Sequence, residues 1–414
     1  MRAARQRARC RAALTALIPF HGAAPNATLG AGHDWQGIES LAESIARELA
    51  RWFAQCSARR DMMSAMSVPL PIVQAKGTYR EIGRQIGEAA RAQIRRSVAY
   101  YETNIEWLAA MSFAEAERAS LALLPFAEHD LPQHVEELQG LAEGSGVPFA
   151  KLLVLNCGEE ILCSPRPGDG HCTCMAVAVA GRTVVGHNED WVEDDIENMV
   201  LLDLTVPDGT RILALTGAAY MPTCGVNSHG LAFYGNTLYA RDEHDGVPNG
   251  FKHRWLLESA TREEADARAR LRGRARGSNH LNAQAGGHIW NVEVSAERAA
   301  VIEADEWLVH TNHYTCAELL DVERSDSAGT RLRLARAQAL VAAGLERGDD
   351  PFALVCDVLR DHANAPTSIC AHPVGDDPED SPTTGSIVIE LEERRLHVCA
   401  GRPCENAYQT VSFD

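Results

Sequence analysis

Long apolar runs, an excess of basic charge and paired cysteine spacings are all missing from this 414-residue chain. The most apolar stretches, 174–180 and 199–206, are broken within about eight residues by Gly, Asp or Pro, far short of the roughly 20 residues of a membrane-spanning helix. A chain that does not enter a membrane is expected. Lys and Arg number 39 against 57 Asp and Glu, a formal charge of −18, so the protein as a whole would repel a polyanion. Nucleic acid is excluded as an expected partner. Neither G-x-G-x-x-G nor G-x-x-x-x-G-K-[ST] occurs, which leaves a nucleotide-binding fold without support. Twelve cysteines in 414 residues are too few for a small disulfide scaffold, and they lack the repeated C-x-x-C spacing of a structural zinc site. A reducing, cytoplasmic compartment is expected, with no metal and no organic cofactor. Gly (32) and Pro (18) are modest beside a 45% apolar fraction, the composition of a globular protein with ample material for a core.

The chain opens MRAARQRARCRAALTALIPF, basic and then briefly apolar like a targeting segment. Residues 22–35 show no periodicity, however, and 64–69 reads as the start of the ordered domain. Met62, Met63 or Met66 offers an alternative initiator, so 1–66 is set apart as an extension that is expected to be either untranslated upstream sequence or disordered. From 78 to 147 the pattern is helical, with Ile82, Ile86, Ala89 and Ile94 on one face and Val135, Leu138 and Leu141 on another. Residues 164–170, Ser-Pro-Arg-Pro-Gly-Asp-Gly, are a loop by composition. Beyond them the period shortens: 174–180, 183–186, 199–206, 211–215 and 231–238 read as strands separated by hairpin signals. An amphipathic stretch at 254–272 interrupts them, strands return at 288–294 and 300–303, and helices are predicted at 330–344 and 351–361. A hairpin of 386–391 with 395–400 ends the series. Helices grouped between antiparallel hairpins argue for a layered α+β sandwich and against a wound βαβ sheet.

The chemistry-bearing constellation is Gly168-Asp169-Gly170-His171-Cys172-Thr173-Cys174 together with Gly186-His187-Asn188-Glu189-Asp190-Trp191. A hairpin turning at Gly181-Arg182 would return Asn188 to Asp190 to the neighbourhood of Cys172. Carboxylates raise a thiol's pKa, so a cysteine there needs a cation or an amine to become a nucleophile. Glu193-Asp194-Asp195 just beyond reads as a solvated turn. Trp191 is compatible with lining a pocket or with packing.

These segments, with Gly225-Val226-Asn227-Ser228-His229-Gly230-Leu231, Ser278-Asn279-His280-Leu281, His310-Thr311-Asn312-His313-Tyr314 and Gly401-Arg402-Pro403-Cys404, resemble in this order the acyl-coenzyme A:6-aminopenicillanic acid acyltransferase family of N-terminal nucleophile hydrolases. The helical opening from Lys76-Gly77-Thr78-Tyr79 to Glu88 is similar too. The resemblance implies a four-layer αββα sandwich made as a precursor that cleaves itself between His171 and Cys172. It implies a helical small subunit (67–171) and a catalytic large subunit (172–414) that remain paired as a heterodimer. Cys172 would be the nucleophile and its freed α-amine the base, with a reference pKa near 7.7–8.0. By the same resemblance Asp190 would orient the amine, Asn279 and Asn236 would donate to the tetrahedral oxyanion, and Arg331 would support the nucleophile electrostatically. The implied substrate is a small-molecule amide or acyl donor, opened through an S-acyl enzyme by water or by an acceptor amine. Nothing in the sequence has the character of a clamp for coenzyme A phosphates.

His171 departs from the small or acidic residue usual before the nucleophile in that family, and it keeps a second reading open: a non-catalytic or zinc-binding protein of the same fold. In that reading His171-Cys172-Thr173-Cys174 and His310-Thr311-Asn312-His313 supply ligands. The plainer expectation for His310 and His313 is that they hydrogen-bond a turn.

Overall fold

Strand after strand in this protein is apolar on both faces, and the layering follows from that. In the computed structural model, which describes residues 70–162, 172–324, 328–373 and 381–413, two sheets lie face to face between two layers of helices. All of the described residues belong to one compact unit, Ser67–Asp414. The expectations for 1–66, His171 and the loop 164–170 lie outside the described residues.

The first layer is helical. After strand β1 (Ile72–Lys76) come α1 (Tyr79–Ala89), α2 (Arg91–Ala109), α3 (Phe113–Asp130), α4 (Pro132–Ser145), α5 (Phe149–Asn156) and α6 (Gly158–Leu162). Thr78 and Ser112 start α1 and α3 with capping boxes closed by Glu81 and Glu115, each satisfying amides that the first helical turn leaves unpaired. Helices α1 and α4 touch backbone to backbone. A methyl group on Gly83 would meet the Glu137 carbonyl oxygen at 1.9 Å, and one on Gly140 would meet that of Arg80 at 2.0 Å.

The remaining strands are β2 (Thr173–Val179), β3 (Arg182–Asp190), β4 (Met199–Thr205), β5 (Arg211–Gly217), β6 (Gly225–Asn227), β7 (Leu231–Leu238), β8 (Gly277–Gln284), β9 (His288–Val294), β10 (Ala299–Ala304), β11 (Trp307–His310), β12 (Thr383–Glu390), β13 (Arg395–Ala400) and β14 (Gln409–Ser412). One sheet has the order β1-β4-β5-β6-β7-β8-β9-β10 and the other β11-β2-β3-β12-β13-β14, antiparallel except for the β1–β4 pair. Side chains alternate between two cores. On β4, Val200 and Leu202 face the first helical layer while Leu201 faces the opposite sheet. On β2, Cys174 and Ala176 point into the space between the sheets, and Met175 and Val177 pack on the second helical layer. That layer is α9 (Ala328–Arg347) and α10 (Pro351–Leu359), and the four layers run α, β, β, α.

The strands expected at 231–238, 288–294 and 395–400 are found at those bounds. The amphipathic stretch at 254–272 is two helices, α7 (Asn249–Leu256) and α8 (Arg262–Ala269), because the Thr261 side chain accepts from the Glu264 amide and starts a new helix there. The β2–β3 turn falls one residue earlier than expected. Ala180 (φ 52°) and Gly181 (φ 74°) are both left-handed, the conformation that two-residue hairpins require.

Gly140→Ala forces a methyl group against a backbone carbonyl that cannot move without parting α1 from α4. A loss of at least about 1–3 kcal/mol is expected, read as a lower thermal midpoint than wild type.

Candidate functional site

Cys172 stands at the entry to β2, and the tight turn after Val179 brings β3 back beside it, with Thr173 opposite Asn188. Because side chains alternate along a strand, Cys172 shares a face with Cys174. The Cys172 Sγ lies 3.9 Å from Glu189 Oε1 and 4.0 Å from the Asp190 carbonyl oxygen. Burial, and then the charges of Glu189 and Asp190, push this thiol well above its ordinary pKa; Arg333 opposes them weakly. Cys172 is therefore held as a thiol.

Asp190, at the end of β3, is buried, and neither carboxyl oxygen has a hydrogen-bond partner. Desolvation raises its pKa well above the carboxylate range, offset only in part by the Thr383 hydroxyl across the ladder and by Arg333. A buried carboxyl left without a hydrogen bond to either oxygen is costly to keep charged.

The arginine that reaches Cys172 is Arg333. It is fully buried, and its Nη1 donates to the Cys172 carbonyl at 2.8 Å and to Thr173 Oγ1 at 3.0 Å, while Nη2 donates to Asn312 Oδ1 at 3.1 Å. The expectation for Arg331 is corrected. Its side chain is 46% exposed and pairs with Glu323 at 2.9 Å. The buried positions of α9 are Thr330, Arg333, Ala337, Val341 and Gly344, and two residues along a helix is more than half a turn, so Arg331 points away.

Asn236 on β7 and Asn279 on β8 are cross-strand neighbours in the opposite sheet, fully buried. Their amides do not donate to Cys172. Asn236 Nδ2 donates to Cys174 Sγ at 3.2 Å and to the Thr311 carbonyl at 3.1 Å, and Asn279 Nδ2 lies 3.6 Å from Cys174 Sγ. Cys174 is the next residue on the same strand face, about 6.6 Å along β2 from Cys172. The oxyanion role expected of the two amides is not the contact they make here.

The zinc set considered from sequence does not assemble among the described residues. His310 has both ring nitrogens engaged, Nδ1 with its neighbour's carbonyl oxygen at 2.7 Å and Nε2 with Glu293 at 2.8 Å. His313 Nδ1 meets Thr330 Oγ1 at 2.9 Å. Both are turn-fixing contacts.

A cavity of about 420 Å³ opens beside Cys172, Glu189 and Asp190. Trp191 lines it, together with Leu155, Leu162, Met199, Leu215 and Tyr220. Its described lining carries the acidic residues Glu159, Glu189, Asp190 and Asp195 and neither lysine nor arginine. Asp195, expected on a solvated turn, is buried: it accepts from Ser97 at 2.6 Å and Tyr220 at 2.9 Å within the 3-10 turn Glu193–Asn198. The three-in-a-row acidic run concealed one residue facing inward. Sequence reading had no signal for it, because its partners come from α2 and from the segment after β5.

The αββα order, with a cysteine opening an inner strand, is that of the N-terminal nucleophile hydrolases. The chain belongs to the acyl-coenzyme A:6-aminopenicillanic acid acyl-transferase family, whose sequence profile matches residues 178–405. That span begins beyond Cys172 and takes in Asp190, Asn236, Asn279 and Arg333. The chain is similar to the 40 kDa form of the acyl-coenzyme A:6-aminopenicillanic-acid-acyltransferase of Emericella nidulans, 26% identical over 341 residues, 80% of this chain and 92% of that one. It is also similar to the beta-alanyl-dopamine/carcinine hydrolase of Drosophila melanogaster, 24% identical over 216 residues, 47% of this chain and 56% of the relative. Among solved structures, penicillin V acylase from Agrobacterium tumefaciens overlaps with a TM-score of 0.41 at 14% identity, covering 58% of this chain and 86% of that one. A conjugated bile acid hydrolase variant from Clostridium perfringens overlaps with a TM-score of 0.40 at 13% identity, covering 59% and 97%.

Two outcomes are expected of substitutions here. In the uncleaved Cys172→Ala chain, Asp190→Asn raises stability at pH 7 by about 1–3 kcal/mol, since it removes a carboxylate that burial leaves without a donor. The folded-state pKa is raised, so the penalty grows as pH climbs above the unfolded value near 3.9, and the gain vanishes toward pH 4. Chemical denaturation at both pH values measures it. Arg333→Met strands three acceptors and lowers the thermal midpoint sharply, whereas Arg331→Met alters stability by less than about 1 kcal/mol, the worth of an exposed ion pair.

Proposed function

We propose that the protein is an autoprocessed, cysteine-dependent amide hydrolase that opens small N-acylated amines through an S-acyl enzyme. The observation that carries this reading is the buried Asp190 carboxyl, neither of whose oxygens has a hydrogen bond, on the residue whose backbone carbonyl lies 4.0 Å from the Cys172 thiol. In the precursor, the thiol attacks the carbonyl of residue 171, and the 171–172 amide becomes a thioester with a free α-amine. Water then hydrolyses the thioester, leaving a carboxylate on residue 171 and a new amino terminus at Cys172. The ammonium form of that terminus provides the cation that Asp190 lacks, and its neutral form accepts the thiol proton. In turnover the thiol attacks the substrate amide, the α-amine carries its proton to the leaving amine, and water releases the acid. Arg333 holds the Cys172 carbonyl and so orients the nucleophile. For Asn236 and Asn279 the reading keeps the role their contacts support, tying β2 to β7 and β8 through Cys174.

The acidic, partly apolar cavity suits a neutral acyl group and an amine, and it disfavours the phosphates of coenzyme A. This favours hydrolysis over acyl transfer from that donor. The relatives include an acyltransferase named for 6-aminopenicillanic acid and a hydrolase named for beta-alanyl-dopamine and carcinine. Intact mass is expected to resolve two chains, residues up to 171 and 172–414, in wild type and one uncut chain in Cys172→Ala. A wild type that stays whole yet hydrolyses amides would overturn the base assignment, and one that stays whole and inert would restore the non-catalytic reading. Across a panel of acyl amines, kcat/KM should rise with pH through a single ionisation at or above about 7.7–8.0. Substrates bearing an anionic acyl group should be slower by about tenfold or more, as expected where like charges face each other in a cleft.

A further inference from the structure

Away from the cavity, four side chains from three separate segments turn their ligand atoms toward one point. They are His362, just beyond α10; Cys370 and His372, on the extended stretch before β12; and Cys404, in the turn after β13. All four ligand atoms lie within 4.8 Å of one another. The Cys370 and Cys404 sulfurs are 3.5 Å apart, the His362 and His372 Nε2 atoms 3.0 Å, His372 Nε2 and Cys404 Sγ 3.2 Å, and Cys370 Sγ and His372 Nε2 4.0 Å. A tetrahedral zinc ion with Zn–S of about 2.3 Å and Zn–N of about 2.0–2.1 Å sets these edges at about 3.8, 3.3 and 3.6 Å, so each pair stands within about half an ångström of its coordinated value.

The backbone builds this convergence. The Cys370 amide donates to the Asp361 carbonyl at 3.0 Å, which seats His362 beside Cys370. Ala371, between Cys370 and His372, is pinned to Thr383: its amide donates to the Thr383 hydroxyl and its carbonyl accepts from the Thr383 amide, both at 3.0 Å. Cys404 is carried in by the left-handed Gly401, whose amide donates to the Thr384 carbonyl, and Arg360 Nε donates to the Pro403 carbonyl at 3.1 Å. His372 presents Nε2 to the cluster while Nδ1 lies 3.7 Å from Glu405 Oε1, the carboxylate-backed posture of a metal-ligating imidazole.

We propose that His362, Cys370, His372 and Cys404 form a structural zinc site. Four soft or borderline donors, two of them sulfur, with no carboxylate among them, select zinc over magnesium or calcium. Four protein ligands leave no open position, so the ion clamps and does not catalyse. What it clamps is the back of the nucleophile strand pair. The Ile369 carbonyl accepts from Asn188 Nδ2 at 2.9 Å, and Thr383, bonded to Ala371, is the residue opposite Asp190. The proposal stands whether or not the chain cuts itself.

The test is zinc content of the purified full chain, dialysed in reducing buffer after equilibration with zinc sulfate. About one zinc per chain is expected in wild type and in Cys172→Ser, and under about a tenth in Cys404→Ser and His362→Ala, because loss of one of four ligands opens the site. Exchange with cobalt(II) should give a tetrahedral spectrum with thiolate charge transfer that weakens in Cys404→Ser. A chelator should lower the thermal midpoint of wild type, zinc should restore it, and Cys404→Ser should respond to neither. Wild type without stoichiometric zinc, zinc retained by both ligand variants, or a Cys370–Cys404 disulfide found in the reduced protein would each overturn the assignment.

Discussion

A carboxyl group shut away from water, its burial offset only in part by the Thr383 hydroxyl and Arg333, is the constraint on which this site turns. Asp190 and Cys172 are both acids, burial raises the pKa of each, and the Asp190 and Glu189 charges push the Cys172 thiol higher still. A cation relieves that arrangement, and Arg333 does so only in part, its guanidinium donating to the Cys172 carbonyl, Thr173 and Asn312. An amino terminus created at Cys172 would satisfy the carboxyl and supply a base in one step. In the autoprocessed reading proposed above, inertness before cleavage and activity after it would have the same electrostatic origin.

The sandwich exists to hold those groups. Strand β2 is buried on both faces, which requires a sheet on one side and helices on the other. Its place between β11 and β3 in the six-stranded sheet sets Glu189 and Asp190 of β3 beside Cys172, Thr383 of β12 opposite Asp190, and Arg333 of α9 at the Cys172 carbonyl. The same extended stretch that carries Cys370 and His372 braces β3 from behind. A clamp placed there would stiffen the one strand whose position sets the Asp190–Cys172 contact.

Much of this was legible in the chain itself. Period-two alternation marked β7, β9 and β13 to the residue, and the hairpin between Cys174 and Gly186 was readable because two turn residues divide two β-branched runs. The short strands β1, β6, β11 and β14 escaped because three to five residues carry too little periodicity to stand out. Among site residues, those close in sequence to the nucleophile were found with their neighbours. On other elements the contacts differ from those expected: the arginine at the Cys172 carbonyl is Arg333, two positions beyond Arg331, and the Asn236 and Asn279 amides lie against Cys174. Asp195 was hidden in an acidic run because exposure is a property of packing and not of composition.

The sequence by itself determined the layers and the pairing of β2 with β3, since hydrophobic period and turn chemistry act over a few residues and are written locally. Only the tertiary structure decided which arginine meets Cys172, which carboxyls face inward, and that His362, Cys370, His372 and Cys404 come within reach of a single ion. Desolvation and coordination depend on distances in space, and those distances join segments that lie from tens to more than a hundred residues apart along the chain.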